Sequence, residues 1–474
     1  MRILLTNSYR YRADKKQWKA KQCYPPYGTA WAAALLRQEG YQVDFLDHHL
    51  RKDARDYTDA LFALRPDVVI IYDDQFNYLT KMCLQHQRTF ALELIQTAAS
   101  LNIPAIVYNS DAQDFPLEYL QAGAHFVLKG EAEETIKELL KEYAAHKQWS
   151  YEVPGCAFLK DGQLQLTAPR PLMRDLGALP PPDWQLLPLD DYRALWHKYH
   201  GYFSVGIATT RGCPYKCNWC AKPIYGNRYF MRPPEQVAAE IAMLKHQLGV
   251  GHLWMMDDIF GLRSDWLAAF RKEIERLDAR LPLKIQTRAD LLCGKQAMED
   301  LLAVGLQEAW IGVESGSQRI LDAMDKGITV EQVQQATRKL KSAGVKVGWF
   351  LQFGYLGEDE ADIAATLHLI EICMPDHIGI SVAYPLPGTL FYEKVRSLLK
   401  DKDHWQDSDD LDTMYQAHFP RPFYKLLHRY VHCKYQYLKS KDFLKYKVKK
   451  PLLSWRMRYY KRRMEELASQ ALPF

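Results

Sequence analysis

The sequence predicts an α/β protein in three parts. These are a doubly wound parallel sheet over residues 1–145, a partial barrel of six β/α units over 204–395 and a helical region over 396–474, with a proline-rich linker at 146–203. Three observations predict it. Short apolar runs suited to buried parallel strands alternate with helix-period segments through the first 145 residues. The alternation resumes at Ser204, after a stretch holding Pro154, Pro169, Pro171, Pro180, Pro181, Pro182 and Pro188, a composition that favours a stiff extended spacer. It stops near residue 395, where an acidic, polar turn at 401–412 gives way to a basic segment rich in aromatics.

In the first part, residues 2–5 form a short apolar strand, and a long loop leads to a helix at 29–39 with Trp31, Leu35 and Leu36 apolar and Gly40 behind its last turn. Strands follow at 43–46 and 67–72, the latter a continuous β-branched run, then a helix at 90–100, strands at 104–108 and 124–129, and a helix at 133–142. Such sheets bind ligands beyond the carboxyl ends of their strands. In the barrel, strands are expected at 204–210, 252–256, 283–287, 308–313, 345–350 and 377–384, with helices such as 236–247 and 330–343 between them. Chemistry in parallel barrels collects at the strand carboxyl ends.

A chain of 474 residues is too long for one ordinary domain, and a hydrophobic content of 48% supplies sizeable cores. The net charge of +5 selects no partner by itself. No apolar stretch approaches the roughly 20 residues of a spanning helix. Met1-Arg-Ile-Leu-Leu-Thr6 is too short and too soon polar for a signal peptide. Nine cysteines, an odd and scattered set, fit free thiols in a reducing cytoplasm. Cys23, Cys83, Cys156, Cys293, Cys373 and Cys433 are most simply small buried apolar residues.

The other three cysteines lie in Thr210-Arg-Gly-Cys-Pro-Tyr-Lys-Cys-Asn-Trp-Cys220, at the end of the first barrel strand. Three thiolates on one short loop can hold three corners of a four-iron cluster and leave the fourth iron open. Structural zinc wants four ligands, and no second Cys-x-x-Cys is present; a fourth ligand would have to come from a residue such as His197 or His200. At these residues the chain resembles the radical S-adenosylmethionine (radical SAM) superfamily. The resemblance implies a [4Fe-4S] cluster on Cys213, Cys217 and Cys220. The open iron would chelate the amine and carboxylate of S-adenosylmethionine, whose cleavage releases a 5'-deoxyadenosyl radical. It also sets Trp219 beside the adenine, although core packing accounts for Trp219 equally.

The first part is similar to the cobalamin-binding, Rossmann-like domain fused to many of these enzymes. Matching fragments are Pro25-Pro-Tyr-Gly-Thr29, Gly40-Tyr-Gln-Val-Asp44 and Lys129-Gly-Glu-Ala-Glu-Glu134, and Leu179-Pro-Pro-Pro-Asp-Trp184 resembles the connector before the cluster domain. Two departures stand out. The loop that carries the family's cobalt-ligating histidine holds none between residues 6 and 28, and His48 and His49 come one strand later. Asn109-Ser110-Asp111 replaces the Gly-Gly that makes room for the nucleotide tail. Cobalamin would therefore bind without a histidine ligand, near Tyr9, Arg10, Tyr11 and Arg12. The alternative is a domain that keeps the sheet and has lost the cofactor.

Polar groups end the other barrel strands. The resemblance sets Asp257 and Asp258 near the methionine amine; an acid/base pair or a cap on the next helix are the other uses of two such acids, and the cap is favoured for one of them. Arg288 suits the cofactor carboxylate or a structural ion pair. Glu314, in Ile311-Gly-Val-Glu-Ser-Gly316, suits the ribose hydroxyls, with glycines on either side allowing close approach. Gln352-Phe-Gly-Tyr-Leu-Gly-Glu358, with Leu356 where the family often has proline, and Tyr384-Pro-Leu-Pro-Gly-Thr389 end the last two strands.

From Lys434 to Arg463 the chain has twelve lysines and arginines against one aspartate, interleaved with Tyr435, Tyr437, Phe443, Tyr446, Trp455, Tyr459 and Tyr460. Helices that pack aromatics inward account for this; a membrane-surface contact is the next use, and nucleic acid ranks last. With Asp190-Asp-Tyr192 and Trp405-Gln-Asp-Ser-Asp409, the whole chain is similar to the group containing the anaerobic magnesium-protoporphyrin monomethyl ester oxidative cyclase. That implies methylation, cyclisation or rearrangement of a small-molecule or lipid-like substrate in the cytoplasm, with a flavodoxin or ferredoxin type reductant. Methylthiolation of RNA or protein needs three more cysteines in the first domain, where only Cys23 and Cys83 occur. A non-catalytic cobalamin- or metal-binding sensor is the contrasting expectation.

Overall fold

The computed structural model describes residues 1–474 apart from 52–54, 75, 77–83, 221–223, 403, 407–409, 440–448, 470 and 472–474. Cys83, Phe443, Tyr446 and residues 407–409 of the tryptophan–acid motif therefore lie outside the described residues.

Strands β1 (Arg2–Thr6), β2 (Gln42–Leu46), β3 (Val68–Tyr72), β4 (Ala105–Tyr108), β5 (Phe126–Leu128), β6 (Cys156–Lys160) and β7 (Gln163–Leu166) form the first sheet, in the order β2-β1-β3-β4-β5-β6-β7. The first five are parallel, and β6 and β7 add as antiparallel strands. All five residues of β3 are buried, as its unbroken apolar sequence requires. Strand order reverses at β1, which sits between β2 and β3, so the crevice for a ligand lies past the carboxyl ends of β1 and β3.

The second sheet runs β15-β14-β13-β12-β11-β8, all parallel. Its strands are β8 (Ser204–Ile207), β11 (His252–Met255), β12 (Leu283–Thr287), β13 (Leu306–Glu314), β14 (Lys346–Phe353) and β15 (His377–Val382). Between β8 and β11, the short β9 (Thr210–Arg211) and β10 (Phe230–Met231) pair antiparallel. β8 and β15 are the two edges, so the barrel is open. Leu253, Met255, Ile285, Ala309, Ile311, Val347 and Trp349 are buried on its outer face, where the Trp349 indole donates to Thr337 Oγ1 (3.1 Å) on the helix Val330–Ser342. The alternate residues line the inner face.

The segment expected to be an extended spacer is folded onto its neighbours. Residues 156–166 continue the first sheet, and a helix, Leu189–His200, packs back on it. Tyr192 donates to Asp47 (2.5 Å), Trp196 to the carbonyl of Cys23 (2.7 Å) and Trp31 to that of Pro180 (2.7 Å). Prolines fix the chain direction here, while the tryptophans and tyrosines between them supply the buried contacts.

The two sheets share one apolar core, threaded by two buried cations. Arg211, 1% exposed, reaches Glu131 (3.0 Å) and Glu133 (2.5 Å) of the first domain, with Trp31, Phe76 and Tyr225 around it. Arg232 pairs with Glu240 (2.6 Å) and donates to the Tyr27 hydroxyl (2.8 Å), while Glu240 also accepts from the Trp184 indole (3.0 Å). The helices Arg421–Lys439 and Lys450–Ala468 close the chain. Tyr435 is buried and donates to the carbonyl of Pro375 (2.6 Å), as an inward-packed aromatic should. Trp455 and Tyr459 instead face outward, 57% and 48% exposed, which departs from the expected inward packing.

Breaking a buried ion pair strands the remaining charges. Arg211→Met leaves Glu131 and Glu133 facing each other in the core and is expected to lower the unfolding free energy by about 3–5 kcal/mol in urea titration. Adding Glu131→Gln and Glu133→Gln to it is expected to recover part of that loss.

Candidate active site

The cysteine loop leaves the barrel at the carboxyl end of β8 and is tied down at both sides. Before it, Gly212 takes φ +79°, and a β-carbon there would meet the Arg228 carbonyl oxygen at 2.3 Å, so only glycine fits the turn. Inside it, Asn218 is 2% exposed and fully used. Its backbone N–H donates to the Met324 carbonyl (3.0 Å), and its side-chain amide donates to the Ala323 carbonyl and to Asp325, both at 2.7 Å. Its side-chain oxygen accepts from the Tyr355 hydroxyl (2.7 Å), and its carbonyl from Phe391 N–H (2.9 Å). The sequence marks Asn218 only by its place between Cys217 and Trp219, and its bonding capacity went unread. Cys213, Cys217 and Cys220 are half-buried and form no disulfide. Among the described residues no three His, Cys, Asp or Glu side chains converge to share one metal ion. A cube-shaped cluster instead takes each thiolate at a different corner. His200, weighed as a zinc ligand, contacts the Lys21 carbonyl (2.8 Å) and the Trp196 ring, and His197 is exposed on the same helix.

Glu314 ends β13 with φ +62°, a backbone strain that non-glycine residues take rarely and that accumulates at functional sites. Its carboxylate accepts from Lys326 Nζ (2.8 Å), both side chains being 7% exposed. Burial opposes the Lys326 charge, but Glu314 and the Cys217 sulfur outweigh it and hold the ammonium above its ordinary value. Lys326 also lies 6.0 Å from the Trp219 ring. Thus Glu314, Lys326, Trp219 and Cys217 form one cluster. Lys326 was not among the sequence candidates, because it falls in the loop after a helix and not at a strand end. Trp219 packs against the core, and its indole N–H is buried without a partner. Gly316 serves a different end from the one expected: a β-carbon there would strike the Ala365 carbonyl oxygen and Thr366 at 2.6 Å, so it admits the helix Glu360–Cys373.

Asp257 and Asp258 separate. Asp257 is buried, and one oxygen accepts from Thr209 N–H (2.9 Å), Thr209 Oγ1 (3.1 Å) and Thr210 Oγ1 (2.5 Å), while the other has no partner. Burial pushes its carboxyl up to about 6 against those hydrogen bonds. Asp258 is exposed. Neither caps the next helix, as expected of one of them: that helix, Ser264–Arg276, follows Arg263 and carries Asp265 in its first turn. Arg288 lies 3.6 Å over the Tyr215 ring of the cysteine loop, pairs with Asp290 (3.0 Å) and donates to the Gly327 carbonyl (3.0 Å). The structural ion pair is therefore present, and it sits against the cysteine loop.

The carboxyl edge of the first sheet is the second polar site. Tyr9 and Tyr11 are buried, with Tyr9 edge-on to His49 (5.4 Å) and Tyr11 donating its N–H to the His49 carbonyl (3.0 Å). Arg10 lies over Phe90 (4.2 Å), and Arg12 is exposed over Trp18 (4.8 Å). His48 and His49 thus come next to the loop after β1, although one strand later in sequence, because β2 is the neighbour of β1. Both His48 ring nitrogens, His49 Nε2, His86 Nε2, Arg10 Nε, Gln87 Oε1, Asn109 Nδ2 and Gln113 Nε2 are buried without partners at this edge. Burial lowers His48 to about 4, so its ring is neutral. Such a density of unsatisfied groups suits a polar ligand rich in hydrogen-bonding groups, as the amide-fringed corrin ring is. Asn109-Ser110-Asp111, found in place of Gly-Gly, starts a short helix capped by Asn109. Burial alone would raise the Asp111 carboxyl, but His404 (2.9 Å) and Arg88 (2.6 Å) hold it well below the usual range. His404 and Trp405, whose carbonyl accepts from Gln85 N–H (2.7 Å), so bring the C-terminal region over this edge. Trp405 also meets Tyr384 at the end of the barrel (3.9 Å).

The folded Asp257 carboxyl has a higher pKa than its ordinary 3.8, so between about pH 4 and 6 the native state binds more protons than the unfolded one. Stability contributed by this group is full below that window and falls as pH rises through it. Relative to Asp257→Asn, the unliganded protein is expected to lose at most about 3 kcal/mol in urea titrations from pH 4 to pH 6, with a flat difference above.

Residues 207–370 match the family model described as the radical SAM superfamily. The chain is 26% identical over 376 residues to an uncharacterized methyltransferase of Pyrococcus horikoshii, covering 78% of each. It is 24% identical over 402 residues to the anaerobic magnesium-protoporphyrin IX monomethyl ester cyclase of Cereibacter sphaeroides, covering 80% of this chain and 62% of that one. Among solved structures it is similar to the cobalamin-dependent S-adenosylmethionine radical enzyme OxsB with aqua-cobalamin and S-adenosylmethionine bound, at TM-score 0.72 and 16% identity, over 98% of this chain and 71% of that one. Residues 207–370, with the cysteine loop at the end of the first barrel strand, are thus a radical SAM superfamily domain, and the chain as a whole shares the fold of OxsB, a doubly wound sheet ahead of the barrel.

Proposed function

We propose that this chain is a radical SAM enzyme that uses a [4Fe-4S] cluster, S-adenosylmethionine and cobalamin to methylate or otherwise modify a small-molecule substrate. The observation that carries this is the set of three cysteines, none in a disulfide, on a loop pinned by Asn218, with the buried Glu314–Lys326 pair beside Cys217. Cys213, Cys217 and Cys220 would hold the cluster. Trp219 would flank the adenine, and Glu314 would accept from the ribose hydroxyls with Lys326 fixing its position. The unpartnered oxygen of Asp257 would take the methionine amine, with Asp258 at the exposed lip. Arg288 spends only the donors on Nε and one Nη on Asp290 and Gly327, which leaves its other Nη for the cofactor carboxylate. When bound, the cluster supplies the electron that cleaves the sulfonium, and cobalamin supplies a methyl group. The unsatisfied groups at the edge of the first sheet, with Tyr9, Arg10, Tyr11 and Arg12 near them, would hold the corrinoid.

The chain's own part is positional. Lys326 places a positive charge beside Cys217. Trp405 against Tyr384, and the stacked Tyr355 and Phe391 rings (4.8 Å), wall the space at the barrel mouth with aromatic surface, which excludes water from a reactive radical. A flavodoxin or ferredoxin type protein would deliver electrons. No helix among the described residues is long and apolar enough to cross a membrane. A peripheral contact is supported by Leu452, Trp455 and Tyr459, exposed on one stretch of helix among Arg456, Arg458, Arg462 and Arg463.

The test is anaerobic reconstitution with iron and sulfide followed by dithionite reduction with S-adenosylmethionine. 5'-Deoxyadenosine is expected from the wild type and none from Cys217→Ala. Its absence from reconstituted wild type would favour a sensor. One equivalent of cobalt with a corrinoid spectrum in anaerobically purified protein is expected, and a cobalt-free protein would mean that the first domain has lost its cofactor.

A further inference from the structure

The inner face of the barrel carries a flat aromatic floor. Trp310, mid-strand in β13, lies across Gly348 of the adjacent β14 and reaches Gly379 of β15, one strand further. A β-carbon on Gly348 would fall 2.4–2.8 Å from its indole carbons, and one on Gly379 would fall 3.2 Å away. The ring is therefore pressed flat against the sheet, and any larger residue at 348 would lift it. Phe350 (centroids 4.8 Å) and His377 (6.1 Å, 11° from parallel) extend the surface sideways. Trp310, Phe350 and Gly379 are all half-buried, whereas the same face at β11 is covered, since Trp254 is 1% exposed and packs on Tyr24 of the first domain (4.8 Å). The floor is thus the part of the inner face that the chain leaves uncovered.

A cation stands at its edge. Lys284 Nζ lies 5.1 Å from the Trp254 ring and 5.8 Å from the Trp310 ring. The two indoles hold the ammonium in place, while burial lowers its pKa from the ordinary lysine value, so an anion beside it would favour its charge. Glu308 is the acid whose charge acts on Lys284, but its carboxylate takes a hydrogen bond from the Trp310 indole N–H (2.6 Å). Among the described residues no carboxylate comes within ion-pair distance of Lys284. Gln286 and Ser381, half-buried on the same face, are the neutral polar groups nearby. Four residues along β13 separate Trp310 from Glu314, about 13 Å at the rise of a strand. Between them Lys326 Nζ and Glu314 Oε1 stand over Gly312, where a β-carbon would meet them at 2.7 and 2.8 Å, so a ligand on the floor would lie beneath that pair.

We infer that the floor formed by Trp310, Gly348 and Gly379 binds a flat, conjugated small molecule carrying a carboxylate, which Lys284 receives. Its meaning as a substrate site rests on the proposed radical chemistry, but the binding itself does not. An aromatic face on a bed of glycine favours stacking with a planar ring over a saturated one of equal size. An ammonium held between indoles favours the anion over its neutral amide.

The test is equilibrium dialysis of the reconstituted full-length protein against anthracene-9-carboxylate, anthracene-9-carboxamide and adamantane-1-carboxylate. Anthracene-9-carboxylate is expected to bind saturably and best. Trp310→Ala is expected to weaken it about tenfold. Lys284→Gln, which removes charge at a partly buried position, is expected to weaken the carboxylate about tenfold and to leave the carboxamide unchanged. Circular dichroism and iron content check that each variant is folded. No saturable binding, equal binding of all three probes, or a folded Lys284→Gln protein that binds the carboxylate as wild type does, overturns the inference. 5'-Deoxyadenosine is assayed on the same wild-type preparation, and its absence beside intact probe binding counts against the radical chemistry alone.

Discussion

Arg211 is the residue on which the arrangement turns. It lies two positions before Cys213, fully buried, with two carboxylates of the first domain on its guanidinium. A buried arginine must be paired, and here its partners are on the other domain. The cysteine loop therefore cannot shift without stranding Glu131 and Glu133, and the first sheet cannot shift without stranding Arg211. Burial of this kind adds little net stability compared with an apolar substitute, but it fixes one relative placement of the parts. Arg232, Glu240, Tyr27 and Trp184 repeat the device with the linker included.

That placement brings two polar sites into one molecule. One is the cysteine loop with Glu314, Lys326 and Asp257; the other is the carboxyl edge of the first sheet with its unsatisfied histidines and amides. The C-terminal region bridges them, through His404 on Asp111 and Trp405 on Tyr384. Each site keeps buried groups that lack partners in the protein, a cost that folding alone does not explain and that bound ligands would offset.

Much of this was legible in the sequence. Unbroken apolar runs such as Val68–Tyr72 marked the parallel strands, and the cysteine spacing marked the loop, because both depend on local pattern. Partners distant in sequence were not legible. Asp257 and Asp258 look equivalent as neighbours, yet strand alternation sends one into the Thr209–Thr210 turn and the other to solvent. The missing histidine after β1 read as a loss, but the strand order sets His48 and His49 beside that loop. Lys326 is an ordinary loop lysine until the fold brings it onto Glu314. The proline-rich stretch read as a spacer because prolines are visible in sequence and the buried contacts of Trp184, Tyr192 and Trp196 are not.

If the three thiolates hold a four-iron cluster, one iron stays open to S-adenosylmethionine. Electron paramagnetic resonance of the dithionite-reduced, reconstituted protein tests it most directly. A four-iron signal whose g values change when S-adenosylmethionine is added is the expected result. A four-iron signal unaltered by saturating S-adenosylmethionine would contradict it.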